Sequence, residues 1–404
     1  MTDTPEQGTP WKYRLGMLLG AHFVGTIHIG SVLALAPVIS KDLSLTATQV
    51  GLLATAYNGA QVTCAPFAGT LTDRLGVGWS MVAASVFLAA GSLSMAAAHG
   101  LPLGLVAMAL MGIGYAFVNP ATAKAVLEWF RREYRGTVMS AKQTGVPIGG
   151  VVGASSLYFA TLLDWRIIMV IIAATALGYG LLSTTLAQRP DWRQGGSILM
   201  LLGRILDTLR NRNLATANLA ATLYNVGQQN FYTYLTLFMR EATLATQPFA
   251  SFCLGLGHVG SATARIFWGW FSDRFASGRR ATVMAGLGIA AAACFAALAF
   301  AGPGWGIWLG AAMAFGLGLT IAGYAGVSLT VIVETVKPDR VGSAMGGHLC
   351  CTAFGGMVGP PIFGAIVDHG GFTYAWLFTG LLAAIGVLLY RFVFIDVADR
   401  RPEA

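Results

Sequence analysis

The stretch Ala264-Arg-Ile-Phe-Trp-Gly-Trp-Phe-Ser-Asp273-Arg274 joins a long apolar run to a cluster of charges. The sixteen residues before Arg265 carry no formal charge, except on His258 when its imidazole is protonated. At a helical rise of about 1.5 Å per residue, Arg265 lies roughly 12 Å from Asp273, near the middle of a hydrocarbon layer about 30 Å thick. A charge at that depth costs several kcal/mol unless it faces a partner or a water-filled cavity. Arg265 is therefore a candidate functional residue.

The composition around this stretch is that of a membrane protein. Apolar residues make up 55% of the chain and charged residues 10%, whereas about 25% of the residues of a soluble domain are charged. The apolar residues fall into runs of about 20, the length of a helix that crosses a bilayer. We predict an all-α membrane protein with twelve transmembrane helices in two six-helix halves. The predicted spans are 15–38, 46–70, 77–98, 102–128, 137–161, 166–187, 214–238, 247–271, 281–301, 305–333, 341–366 and 372–394.

Lys and Arg are distributed unevenly between alternate loops. With the N-terminus inside, the outer loops hold only Lys41, Arg166 and Arg240, and the inner segments hold the great majority of the other cations. By the positive-inside rule, this predicts cytoplasmic termini for a multi-pass protein of the bacterial inner membrane. The same asymmetry explains the net charge of +8 without nucleic acid as a partner.

The chain is internally repeated. The motif Gly-x-x-x-Asp-Arg occurs at 69–74 and again at 269–274, 200 residues later. Glu128 and Glu334, each at the end of the fourth helix of its half, lie 206 residues apart. A parallel repeat of two six-helix halves is a frequent transporter architecture, with the binding site where the halves meet.

The repeat divides the chain at a polar, basic segment. We predict an N-terminal six-helix bundle at 1–187, a cytoplasmic linker at 188–213 and a C-terminal six-helix bundle at 214–404. In the linker, Leu and Ile recur at helical spacing opposite Arg204 and Arg210. This pattern favours an amphipathic helix on the anionic cytoplasmic leaflet, with a plain tether as the alternative.

The paired loops, twelve spans, cytoplasmic termini and long central linker resemble the major facilitator superfamily, and the resemblance covers essentially the whole chain. It implies a transporter rather than an enzyme, and a gating role for charged residues at the inner helix ends. Those residues are Asp73, Arg74, Asp273, Arg274, Glu128 and Glu334. In the family the first loop usually ends in Gly-Arg-Lys/Arg, but here Gly76 is followed by Val77-Gly-Trp. Only the second copy keeps the basic end, as Arg279-Arg280.

The segment that begins at Arg265 also resembles the eighth helix of oxalate/formate antiporters and monocarboxylate transporters. In those families the matching arginine binds the substrate carboxylate, so the resemblance implies that role for Arg265. The oxalate/formate group carries a lysine in the eleventh helix where this chain has Thr352. That difference argues against a doubly charged substrate.

The polar side chains within the spans are basic or neutral, because the seventeen Asp and Glu lie at helix ends, in loops or in the tails. Fixed positive charge without carboxylates suits an anionic substrate. The predicted substrate-binding residues are Arg265, Lys124, Asn119, Tyr224, Asn225, Gln228, Tyr232 and Tyr324. The candidates for proton coupling are His22, His28 and His348, which titrate near neutral pH when unperturbed.

Several of these residues have a structural alternative. Lys124 can extend to the inner interface, the polar groups of the seventh helix can bond to neighbouring helices, and a lone histidine can be a structural hydrogen-bonding group. Pro120, next to Asn119, is expected to kink its helix and free a carbonyl.

These observations predict a secondary transporter for a small organic anion, which we expect to be a monocarboxylate, with a proton carried by a histidine or by the substrate. The alternative is a carrier of a neutral or aromatic metabolite, vitamin or drug, in which Arg265 is structural. We expect a monomer in contact with membrane lipids. No metal or other cofactor is predicted, because the five cysteines lie inside apolar runs without metal-ligand spacing.

Overall fold

The computed structural model describes residues 10–187, 190, 211–275, 279–304, 307–336 and 340–395. The predicted amphipathic helix of the linker lies outside these described residues. Within them the backbone is helical and contains no strand, which confirms the all-α prediction.

The helices of the first half cover the first six predicted spans. They are α1 (Trp11–Ala34), α2 (Ala36–Asp42), α3 (Ala47–Ala96), α4 (Leu101–Trp129), α5 (Arg135–Gln143), α6 (Gly145–Ala154), α7 (Ser156–Phe159) and α8 (Trp165–Ser183). The second and third spans form the single 50-residue element α3, which bends at Gly76, where φ is 77°. A positive φ of this kind suits glycine. The fifth span is divided into α5, α6 and α7.

The helices of the second half cover the other six spans. They are α9 (Arg212–Glu241), α10 (Gln247–Arg274), α11 (Arg280–Ala299), α12 (Ile307–Leu319), α13 (Ala325–Thr335), α14 (Val341–Gly370) and α15 (Phe372–Leu388). The tenth span is interrupted between α12 and α13. A short π-helix, Leu389–Val393, extends the twelfth span. Seven of the described helices are long and apolar enough to cross a membrane on their own.

By its internal contacts the chain forms two compact units. The first consists of Met1–Ser44 and Ala56–Ile198, and the second of Leu45–Thr55 and Leu199–Ala404. The core of the first unit consists mostly of small and aliphatic side chains from α1, α3 and α4, together with the aromatic side chains Phe117, Trp129 and Phe130. The second unit has an aromatic core in which Trp376 stacks on Phe295 and meets Phe363 edge-on.

Glycine allows the eighth span to lie directly against the interrupted tenth span. A Cβ on Gly318 of α12 would collide with the carbonyl oxygen of Gly257 on α10. A Cβ on Gly260 would lie 2.7 Å from the carbonyl oxygen of Phe315. The two helices therefore touch backbone to backbone, which is a common mode of packing in membranes. This contact places the arginine-bearing helix beside the break.

Candidate functional site

The break in the tenth span exposes backbone carbonyls that side chains from two other helices use. The carbonyl of Ala322 accepts hydrogen bonds from Gln228 Nε2 at 3.0 Å and from Ser261 Oγ at 2.8 Å. Trp268 Nε1 donates to the carbonyl of Leu319 at 2.8 Å. Unwound backbone at membrane depth is tolerated when such partners satisfy it. Polar groups of α9 and α10 therefore converge on this break.

Arg265 lies one helical turn beyond Ser261, on the same helix. Its Nε is buried and has no hydrogen-bond acceptor among the described atoms. No described carboxylate lies within 4.0 Å of the guanidinium. Tyr232, Tyr324 and His258 interact with it electrostatically. The guanidinium thus lies near two tyrosines and a histidine, and its Nε is free to donate a hydrogen bond to an anionic partner.

Aromatic and amide groups extend the surroundings of this arginine. The rings of Tyr232 and His258 stack with centroids 4.5 Å apart and an interplanar angle of 9°. Asn225 Nδ2 donates to Gln228 Oε1 at 3.1 Å. We call this set the Arg265 cluster. Its members are Asn225, Gln228, Tyr232, His258, Ser261, Arg265 and Tyr324.

Five of the residues predicted to bind substrate meet in this cluster, and Tyr224 contacts it only through the ring of Tyr324. Its side chain is fully buried, and its hydroxyl donates to the carbonyl of Met284 at 2.9 Å. Its ring packs against Tyr324 and Tyr390, with centroids 5.7 Å and 6.0 Å away. Tyr224 is therefore a side chain of the helical core, and it lies on a different face of α9 from the neighbouring Asn225.

Two members of the cluster, His258 and Ser261, are absent from the predicted substrate-binding set. Both belong to α10 and precede Arg265 by seven and four residues. Side chains at these spacings share one face of a helix. Helical periodicity around Arg265 is therefore the sequence signal that could have identified His258 and Ser261.

In the first unit, Lys124 lies beside the loop motif. Its Nζ donates to the carbonyl of Asp73 at 2.9 Å and lies 3.9 Å from that residue's carboxylate. The Glu128 carboxylate is 3.8 Å away. The neighbouring Asn119 is exposed, and α4 runs from Leu101 to Trp129 without interruption at Pro120. This geometry joins Lys124 to the predicted gating residues.

In the second copy of the motif, the cation that pairs with the glutamate is Arg280, which lies at a different position in the repeat from Lys124. Arg280 reaches Glu334 with two nitrogens, at 3.1 Å and 3.4 Å, and donates to Ser272 Oγ at 2.5 Å. The position equivalent to Arg280 in the first half is Ser80. Lys124 therefore provides, from the fourth helix, the cation that the first loop lacks. Arg74 and Arg274 are exposed, and the side chain of Asp273 lies outside the described set.

Two of the predicted proton-coupling histidines lie on α1, and both are fully buried. His22 Nε2 is 3.2 Å from Thr122 Oγ1. His28 Nδ1 donates to the carbonyl of Val24 at 2.6 Å. Both of these hydrogen-bond contacts lie within the first unit.

The third predicted proton-coupling histidine, His348, forms hydrogen bonds through both ring nitrogens. Nδ1 is 2.9 Å from Asn218 Oδ1, and Nε2 is 3.3 Å from Ser328 Oγ. It thus has partners outside the Arg265 cluster. Among the described residues, no group of three or more His, Cys, Asp and Glu is placed to hold a metal ion.

Comparisons with known proteins fit this arrangement. The sequence profile described as Major Facilitator Superfamily matches residues 17–216 and 217–404. The chain is 26% identical to the hexuronate transporter of Bacillus subtilis (strain 168), over 95% of both chains. It is 22% identical to the quinolone resistance protein NorA of Staphylococcus aureus (strain MSSA476), over 86% of this chain and 88% of NorA. A mutant of the nucleoside transporter NupG has a similar fold, with a TM-score of 0.79, 17% identity and coverage of 95% of this chain and 100% of NupG.

Proposed function

The chain belongs to the Major Facilitator Superfamily and is a multi-pass membrane transporter, and on that premise we propose that it carries a small organic anion with one carboxylate group. Transport proceeds by alternating access, in which the binding site opens to one side of the membrane and then to the other. The protein acts as a monomer in a bacterial inner membrane, with both termini in the cytoplasm. The anion moves together with a proton.

The observation that carries this proposal is the unpaired Arg265 guanidinium. Its buried Nε has no acceptor among the described atoms, and no described carboxylate neutralises the charge. A carboxylate accepts two parallel hydrogen bonds from a guanidinium, and such charge-assisted bonds are stronger than neutral ones. A substrate carboxylate would satisfy both the charge and the free donor.

The neighbouring groups favour a substrate that carries hydroxyls beside a single carboxylate. Asn225, Gln228 and Ser261, which belong to the Arg265 cluster, carry amide and hydroxyl groups of the kind that bind sugar hydroxyls. Thr352, where a second cation is expected for a dicarboxylate, donates to the carbonyl of His348 at 2.9 Å. The relative from Bacillus subtilis is named a hexuronate transporter, and a hexuronate is a hydroxylated monocarboxylate.

The test is uptake of radiolabelled glucuronate into proteoliposomes. Arg265→Gln is expected to raise the half-saturation concentration at least about 30-fold, because removing one partner of a buried charge pair costs about 2–5 kcal/mol. Arg240→Gln is the matched control, since Arg240 donates to the carbonyl of Ala245 in a loop of the same unit. Wild-type affinity in Arg265→Gln would exclude this role for the arginine.

A carrier of neutral or aromatic compounds is the second candidate. The stacked Tyr232 and His258 rings favour it, as does the similarity to NorA. Thermal-shift measurements at two pH values separate the candidates. An anion site is stabilised by carboxylic acids only where they are deprotonated, whereas a neutral site is stabilised equally at both values by an uncharged ligand.

A further inference from the structure

The repeat extends to a hydrogen-bonded contact between the fourth and fifth spans of each half. Thr122 and Ser328 lie 206 residues apart in sequence, as do Lys142 and His348. In the first unit, Lys142 Nζ donates to Thr122 Oγ1 at 2.8 Å. In the second, His348 Nε2 is 3.3 Å from Ser328 Oγ. A basic side chain thus meets a hydroxyl at the same place in both halves.

The first helix of each half contributes a third group. His22 Nε2 lies 3.2 Å from Thr122 Oγ1, and Asn218 Oδ1 lies 2.9 Å from His348 Nδ1. We call the first set, His22, Thr122 and Lys142, the Lys142 junction. The second set, Asn218, Ser328 and His348, is the His348 junction.

All hydrogen bonds of the His348 junction can form when the imidazole is neutral. The amide oxygen of Asn218 only accepts, so His348 donates to it through Nδ1–H. Nε2 then accepts from the hydroxyl of Ser328. The neutral imidazole therefore has a partner on each nitrogen, and this junction has no need of an additional proton.

The Lys142 junction keeps its hydrogen bond whether or not the lysine is charged. The Thr122 hydroxyl donates to the carbonyl of Val118 at 2.7 Å, so its lone pairs are available to Lys142 and His22. An ammonium and a neutral amine both donate an N–H. A proton can therefore leave Lys142 without breaking the contact with Thr122.

No described carboxylate forms an ion pair with Lys142. The side chain is 3% exposed, and α5 packs against α1, α4, α6 and the turn at 132–134. From these elements, His22 is the ionisable group that shares its hydroxyl partner. The carboxylates there are Glu128, which faces Lys124 at 3.8 Å, and the exposed Glu133. The other described basic side chains, which form no hydrogen bond with Lys142, are Lys12, Arg14, His28, Lys124 and Arg135.

We propose that Lys142 is the proton-carrying residue of this transporter, an assignment that rests on the proposed transport of an anion. In this proposal Nζ carries the proton while the anion is bound and loses it when the anion has left, because opposite charges attract. The proton adds to the lone pair of Nζ from water and returns to water when the anion has left. Because such coupling is reciprocal, the proton strengthens anion binding as much as the anion strengthens proton binding.

The first experiment tests the lysine without any substrate, by acid–base titration of purified protein between about pH 6 and pH 9, where an ordinary lysine stays charged. Wild-type protein is expected to release one proton more than Lys142→Met. Lys142→Arg stays charged over this range, so it should also release one proton fewer than wild type. It replaces the Met variant if that variant does not fold. His348→Gln is the matched control at the equivalent position and should titrate as wild type. Identical titrations of wild type and both Lys142 variants would overturn the proposal.

The second experiment tests the coupling in proteoliposomes. Exchange of glucuronate across the membrane is expected to persist in Lys142→Arg, whereas accumulation driven by a pH gradient should be lost. Accumulation equal to wild type, or loss of exchange as well, would refute a coupling role. If wild-type protein does not exchange glucuronate, the proposed substrate class fails, and the titration still decides the role of the lysine.

Discussion

At the scale of single residues, the imidazole of His258 lies flat against the ring of Tyr232, 4.5 Å away. If the ring contact is its contribution, His258→Phe should transport glucuronate with nearly wild-type affinity. His258→Ala should raise the half-saturation concentration about 2- to 10-fold, because an aromatic pair is worth about 0.5–1.5 kcal/mol. Uptake kinetics of the two variants provide the measurement. Equal weakening by Phe and Ala would instead assign the role to a ring nitrogen.

Single residues differ in how much of their environment the sequence predicts. A charge inside an apolar run is visible without a structure, so the depth of Arg265 is enough to predict it as a functional residue. Tyr224 and Asn225 are adjacent, yet one packs against Met284 and the other lies beside Gln228. Adjacent residues on a helix point about 100° apart, and only the packing of the helix decides which face meets the site. Composition cannot supply that choice.

At the scale of helices and loops, the two motif copies are held by ion pairs of different geometry. Two nitrogens of Arg280 contact the carboxylate of Glu334, and the two side chains are 12% and 36% exposed. Lys124 Nζ lies 3.8 Å from Glu128 Oε1, and these side chains are 19% and 41% exposed. Glu334→Gln is therefore expected to lower stability by about 1–2 kcal/mol, and Glu128→Gln by less than about 1 kcal/mol. The comparison is well matched, because the two positions are equivalent in the repeat. Melting temperatures in detergent give the order, and a larger loss in Glu128→Gln would contradict it.

Helix breaks illustrate the limit of local sequence signals. The helix α4 continues through Pro120, whereas the tenth span is interrupted at 320–324 without a proline. The break is stabilised by donors from other spans, namely Gln228, Ser261 and Trp268. Those partners are far away in sequence, so no pattern within the tenth span itself reveals them.

At the scale of the whole molecule, the repeat and the apolar runs were enough to predict the twelve-helix fold. In the described residues each of the twelve predicted spans contains helical backbone, with the fifth divided and the tenth interrupted. What they did not reveal is that the beginning of α3, Leu45–Thr55, groups with the second unit. The reason is a set of specific polar contacts, which hydropathy does not encode.

The carboxylate of Asp368 accounts for much of this attachment. It accepts hydrogen bonds from the backbone nitrogens of Ala47 and Thr48 at 2.8 Å and 2.9 Å, and from Thr48 Oγ1 at 2.5 Å. The Tyr234 hydroxyl lies 2.8 Å from the carbonyl of Ala47 and 2.7 Å from that of Pro360. A carboxylate at a helix N-terminus satisfies free N–H groups and interacts favourably with the helix dipole.

Removal of that carboxylate should therefore loosen the first turn of α3. A lost N-terminal cap costs about 0.5–2 kcal/mol, so Asp368→Ala should speed hydrogen exchange of the Ala47 and Thr48 amides about 2- to 30-fold. Asp368→Asn keeps one acceptor oxygen and should fall between Ala and wild type. Asp42→Ala is the control, because Asp42 pairs with Arg166 at 2.6 Å and caps no helix. Exchange that is unchanged in Asp368→Ala would mean that packing around Tyr234, rather than the carboxylate, holds Leu45–Thr55 in the second unit.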